Sequence, residues 1–143
     1  MVLKDLALLL ESIKQAKTSY CRTRIQKMVF LGIKEEGLPY TYKFTKHYYG
    51  PFCMELTGSL SSLVADGALE EQNVVYPFVG KYGQVIEYRY SLTPFGIELL
   101  KIYSTELTDS EKKKIKNLCE KFDGMSLDKL ISYVYSKYLN VKT

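Results

Sequence analysis

Apolar residues recur at helical spacing near the start of the chain. Leu3, Leu6, Ala7, Leu10 and Ile13 share one face, which predicts an amphipathic helix from Val2 to about Ala16. Thr18-Ser19 interrupt it, and Ser19 is a candidate cap for a second helix from Cys21 to about Glu36. Its inward residues are Ile25, Met28, Val29 and Ile33, and Gly37 is its stop. Leu38 to Tyr49 is rich in β-formers and predicts extended chain or a short strand. Gly50-Pro51 then punctuates, and a third helix runs from Phe52 to about Ala65, with Leu56, Leu60, Leu63 and Val64 on one side.

The spacing then changes to alternation. Two strands, roughly Leu69–Val79 and Gln84–Leu92, flank the turn residues Gly80-Lys-Tyr-Gly83 and predict a hairpin. Thr93-Pro94 is an N-cap followed by proline at the first helical position, so a fourth helix runs to about Tyr103. Thr108 and Glu111 form a capping-box pattern that opens a fifth, with Ile115, Leu118, Cys119 and Phe122 inward and Gly124 at its end. Ser126 caps a sixth, whose apolar side is Leu127, Leu130, Ile131, Val134 and Tyr138.

A helix, a hairpin and then a T-x-x-G helix is how a winged-helix domain finishes its wing. The expected fold is therefore α+β and mainly helical: a winged helix–turn–helix with a β-hairpin wing and two additional C-terminal helices. Residues 1–105 form the winged domain. Residues 106–143 form a helical extension packed on it, and are the candidate dimerisation helices of a homodimer.

Three segments carry a resemblance to a known family. They are Thr23-Arg-Ile-Gln-Lys-Met-Val-Phe30, Tyr48-Tyr-Gly-Pro-Phe52, and Tyr88-x-x-x-Leu-Thr-x-x-Gly-x-x-Leu99. Together they resemble the YwgA-like family of small prokaryotic proteins and, more distantly, the Panacea (SocA-like) antitoxin domain. The resemblance covers roughly residues 1–105. It implies a winged-helix-like fold and either a transcription regulator or an antitoxin-like binding module.

Charge complicates the DNA reading. The net charge of +4 is unevenly spread. Residues 1–50 carry nine Lys and Arg against four acids, residues 51–107 three against seven, and residues 108–143 eight against five. In a winged helix–turn–helix the third helix enters the major groove. Thr57, Ser59, Ser61 and Ser62 on its outer face are candidate DNA contacts, yet Pro51 to Gly67 holds no Lys or Arg and two acids. Affinity for duplex DNA rests on neutralised phosphates, so the cations must come from elsewhere. The candidates are Arg22, Arg24, Lys27 and Lys46, then Lys81 with Tyr82 at the wing tip, and Arg89 on its second strand. Lys112-Lys-Lys-Ile-Lys116 reads as ordinary charged helix surface. The function expected first is a DNA-binding transcriptional regulator acting on double-stranded DNA. The alternative is a protein-binding module of antitoxin or adaptor type that keeps the winged fold without DNA contacts.

Catalysis and metal binding find little support. His47 is the single histidine, and Cys21, Cys53 and Cys119 form no C-x-x-C pair. No metal, cofactor or enzymatic activity is expected. Cys53, at the start of a helix, reads as a small structural residue rather than a redox thiol. Thirteen Tyr without Trp, beside Lys/Glu-rich helices, points toward a thermophile. Exposed tyrosines would suit a protein interface, and a tyrosine-rich core is the alternative. No apolar run reaches the ~18–20 residues that span a bilayer. The opening Met1-Val-Leu-Lys-Asp-Leu lacks a basic signal-peptide start, so a cytoplasmic protein is expected.

Overall fold

The structure, a computed structural model, describes residues 1–47, 50–80 and 83–139. Its elements in chain order are α1 (Leu3–Gln15), β1 (Tyr20–Cys21), α2 (Arg22–Glu36), β2 (Thr45–His47), β3 (Gly50–Phe52), α3 (Met54–Ala65), β4 (Leu69–Gly80), β5 (Gly83–Leu92), α4 (Pro94–Tyr103), a 3-10 turn over Ser104–Glu106, α5 (Asp109–Phe122) and α6 (Leu127–Tyr138). The protein is thus a mixed α+β fold, mainly helical, with small antiparallel sheets.

The caps foreseen from sequence form as expected. Thr93 Oγ1 accepts from the Gly96 N–H at 3.0 Å, with Pro94 beginning α4. Thr108 and Glu111 close a full capping box, and Ser126 Oγ accepts from the Lys129 N–H. One cap moves. Ser19 does not start α2, because Tyr20 and Cys21 first pair with Tyr90 and Arg89 of β5. The helix starts only after that strand, with the Cys21 thiol accepting from the Arg24 N–H at 3.4 Å. Likewise α3 begins at Met54, since Gly50–Phe52 pairs with Thr45–His47 as a short hairpin. At the other end, α5 stops at Phe122 with Asp123 as C-cap, so Gly124 lies just beyond it.

The three-stranded sheet has the order β1-β5-β4, with Leu69 opposite Leu92 and Val75 opposite Ile86. The ladder is irregular between Val75 and Val79, where Pro77 interrupts the edge strand and has no N–H to donate. The helix α1 is central. Ala7, Leu8, Leu9 and Leu10 are all fully buried, a wider face than the single stripe its periodicity predicts. It touches α4, α5 and β5, so it is wrapped rather than laid on a surface. The C-terminal helices belong to this core: α5 packs on α1 and α2, α6 on α2, and Ile115, Leu118, Cys119, Phe122, Leu130 and Val134 are buried among the rest.

Two of the tyrosines before α3 are core residues with bonded hydroxyls. Leu38, Tyr40 and Tyr42 alternate inward along extended chain. The Tyr40 hydroxyl lies 3.0 Å from Ser12 Oγ, and the Tyr42 hydroxyl donates to Ser59 Oγ at 2.8 Å. Burial pushes the Tyr42 phenol up to about 12. No helix among the described residues is long and apolar enough to cross a membrane.

Candidate functional site

The second helix carries two polar residues, Gln26 and Lys27, inside an otherwise apolar run. Both are buried, at 1% and 2% exposed. Burying an amide or an ammonium is costly unless its hydrogen bonds are replaced, so what each one touches shows what it does. Gln26 is fully occupied. Its Oε1 accepts from the Cys53 N–H at 2.9 Å, and its Nε2 donates to the Cys53 carbonyl at 2.9 Å and to Thr57 Oγ1 at 3.1 Å. This clamp fixes the first turn of α3 to α2 and settles Cys53 as a buried backbone anchor.

Lys27 is different. Its Nζ donates to the Pro51 carbonyl at 3.2 Å, its one hydrogen-bond partner among the described residues. An ammonium carries three donors. Burial pushes this lysine down to about 8, with the Cys21 thiol a smaller opposing influence. The neighbouring turn is shaped around it. Gly50 has φ +102, a conformation that side-chain-bearing residues rarely adopt. A Cβ at Gly50 would also sit 3.1 Å from Lys27 Cε. The Gln-Lys pair of α2 and the Gly-Pro turn, far apart in sequence, therefore meet at one point.

Around that point lies a pocket of ≈ 110 Å³ lined by Arg22, Thr23, Gln26, Lys27, His47, Gly50 and Phe52. Gln26, Lys27 and Gly50 form its buried floor, and Arg22, Thr23, His47 and Phe52 its more accessible rim. The His47 ring lies against Phe52 with centroids 4.9 Å apart, and the Tyr135 hydroxyl of α6 donates to the His47 carbonyl at 3.1 Å. Among the described residues no carboxylate lines it. Among the described residues no group of three His, Cys, Asp or Glu is placed to hold a metal ion.

The residues considered for DNA contact are scattered by the fold. Arg24 points into the molecule, donating to the Phe122 and Met125 carbonyls at 3.3 and 2.6 Å, and so caps the end of α5. Arg22 donates to the Tyr90 hydroxyl at 3.0 Å and to Glu71 at 3.3 Å, with its guanidinium 4.3 Å from the centre of the Tyr88 ring. Arg89 is paired with Glu87. Lys27 is buried, as described. Lys46 is exposed on β2, and Ser61 and Ser62 are exposed on α3. Thr57 accepts from Gln26, and Ser59 from Tyr42. Lys81 and Tyr82 lie outside the described residues. Lys27, expected from the sequence as a cation for DNA, is instead internal; the signal for that is its place next to Gln26 between Ile25 and the apolar run Met28–Leu31.

No family model matches the chain, and no solved structure matches it. It is 31% identical over 108 residues to the uncharacterized protein YwgA of Bacillus subtilis (strain 168). The match takes in 76% of this chain but 61% of that relative's length. That similarity supports the YwgA-like resemblance carried by the Gln-Lys, Tyr-Gly-Pro and Leu-Thr-x-x-Gly segments.

Proposed function

We propose that this chain is a non-enzymatic protein-binding module of adaptor or antitoxin type, built on a winged-helix scaffold without DNA contacts. The scaffold reading is supported by topology. A strand between the first two helices pairs with the second arm of the hairpin, giving the order β1-β5-β4. The β2–β3 hairpin is an addition between the second and third helices.

The observation that carries the functional reading is where the cations go. Arg22, Arg24 and Arg89 are engaged with groups of the protein itself, and Lys27 is buried. The exposed face of α3 offers Met54, Glu55, Gly58, Ser61 and Ser62, with no positive charge. A duplex-binding surface needs several cations free to meet phosphate, since each contact adds to affinity and to its salt dependence. The hairpin supplies a different chemistry. Val75, Phe78, Val79 and Ile86 are 54%, 58%, 79% and 41% exposed, and Val75 stands directly opposite Ile86. Apolar side chains gathered on a projecting hairpin suit a protein surface.

Titration with random-sequence duplex at low salt is the direct test, because phosphate-driven attraction is strongest there. No binding is expected. Binding that weakens steeply as salt rises overturns the proposal. As the positive arm, a photo-crosslinking residue in place of Phe78 is expected to give a discrete protein adduct in cells, and one in place of Lys113 none. The change Val79→Glu beside it, which alters an exposed side chain, should abolish that adduct without unfolding the chain.

A further inference from the structure

We propose that the pocket between the start of α2 and the β2–β3 hairpin binds a compact oxyanion, phosphate or a small carboxylate, with Lys27 as its charged floor. This rests on the pocket's own geometry and is independent of the protein-binding reading.

Charge selects the class of ligand. Lys27 lines the pocket with Arg22, whose guanidinium is already bonded to Glu71 and Tyr90, and among the described residues no carboxylate is in the lining. The first turn of α2, at Arg22 and Thr23, lies at the rim, where the positive end of a 15-residue helix favours an anion. Lys27 provides the second, independent sign: it is 2% exposed and its ammonium is hydrogen-bonded to one carbonyl, that of Pro51. A buried charge is stabilised by an opposite charge with hydrogen bonds, which a bound oxyanion would supply.

Size selects within the class. A pocket of ≈ 110 Å³ holds several waters or one compact ion, and is well below the ~300–1,000 Å³ of sites for drug-sized ligands. A nucleotide is therefore not the occupant. Gly50 keeps this space, because any Cβ there would press on the Lys27 stem.

Binding is coupled to protonation of Lys27. The titratable and charged groups around it are Arg22 on α2 itself with its partner Glu71 of β4, Cys21 of β1, His47 of β2 and Tyr135 of α6. Glu71 is bonded to Arg22 and Tyr90, and no carboxylate among the described residues pairs with Lys27, so an arriving anion favours the charged lysine. Affinity is highest below the point where the lysine loses its proton and falls above it.

The test uses the full chain and amide-resolved NMR at constant ionic strength, with chloride replaced by inorganic phosphate in one arm and by acetate in the other. Saturable shifts centred on Thr23, Lys27, Gly50 and Phe52 are expected in at least one arm, and which arm responds identifies the ligand class. Lys27→Met keeps the aliphatic stem and removes the charge; it should weaken binding about tenfold or more, the size of one charged hydrogen bond. Arg22→Gln, at the rim, should weaken it less and serves if Lys27→Met does not fold. In the wild type, binding should be weaker at pH about 9.5 than at pH about 7. Shifts confined to the exposed lysines of α5, the absence of saturable shifts in both arms, or unchanged affinity in a folded Lys27→Met or Arg22→Gln protein would overturn the proposal.

Discussion

Two charged side chains on α2, eight residues apart in sequence, are handled in opposite ways. Near the N-terminal end, Lys27 is buried with a single carbonyl partner. Near the C-terminal end, Glu35 has a side chain 8% exposed and four donors around it. Lys121 and Lys137 approach it at 2.7 and 3.0 Å, and the Tyr133 and Tyr138 hydroxyls donate at 2.5 and 2.8 Å. Burial alone would raise the Glu35 carboxyl, but these four donors outweigh it and hold it at about 2. A saturated buried charge fastens elements together, here α5 and α6 onto α2. An unsaturated one costs stability and leaves bonding capacity for something else. The contrast predicts effects of opposite sign from one helix.

The largest effect is expected at Glu35. Glu35→Ala should destabilise the protein by about 2–3 kcal/mol in chemical denaturation, below the ~3–5 of a fully buried pair because its lysines are half exposed. Its pH dependence follows from a carboxyl depressed from 4.5 to about 2 in the folded chain. The stability it contributes is complete above pH about 5 and lost as pH falls toward about 2. Glu35→Gln should flatten that acid limb. A limb as steep as in the wild type would show that Glu35 is not the lock.

Gly50→Ala comes next. It places a side chain at φ +102 and against the Lys27 stem, for a cost of about 1–2 kcal/mol. Combined with Lys27→Met, it should cost less than the sum of the two single effects, since the stem it presses on becomes uncharged and more yielding. Simple additivity in denaturation midpoints would mean that the glycine serves only the turn.

The smallest and most diagnostic effect is at Lys27 alone. Lys27→Met should stabilise the protein at neutral pH, by about 1 kcal/mol, because it removes a poorly partnered buried charge. The folded lysine releases its proton near pH 8, the unfolded one near 10.5. Between those values the unfolded state binds more protons, so wild-type stability rises with pH relative to the variant. Tyr42 and Tyr90, pushed up to about 12 by burial, oppose this above pH 10 but do so in both proteins. Loss of stability in Lys27→Met comparable to Glu35→Ala would erase the contrast.

Much of the architecture is legible in the chain because it is written in local chemistry. Thr93-Pro94, the Thr108/Glu111 box and Ser126 fix helix starts through their own side chains. The Leu56, Leu60 and Leu63 stripe is buried as its spacing implies. The two-residue strand at Tyr20–Cys21 was not legible, since its only reason to be extended is the edge of β5 lying beside it. The candidate site was half legible. The Gln-Lys and Gly-Pro segments stand out in the sequence, but their meeting was not visible there. Nor was the fate of Arg24, whose targets Phe122 and Met125 are about a hundred residues away.

The sequence by itself determined the helices, their caps, the hairpin and the uneven spread of charge, because those depend on residues close together along the chain. Only the tertiary structure decided which charges are working surface and which are internal. A lysine's burial depends on what packs over it, and over Lys27 that is the Gly50-Pro51 turn, made possible by a glycine at positive φ. The same packing took Arg22 and Arg24 out of any exposed cationic face and left an ammonium at the floor of a small pocket.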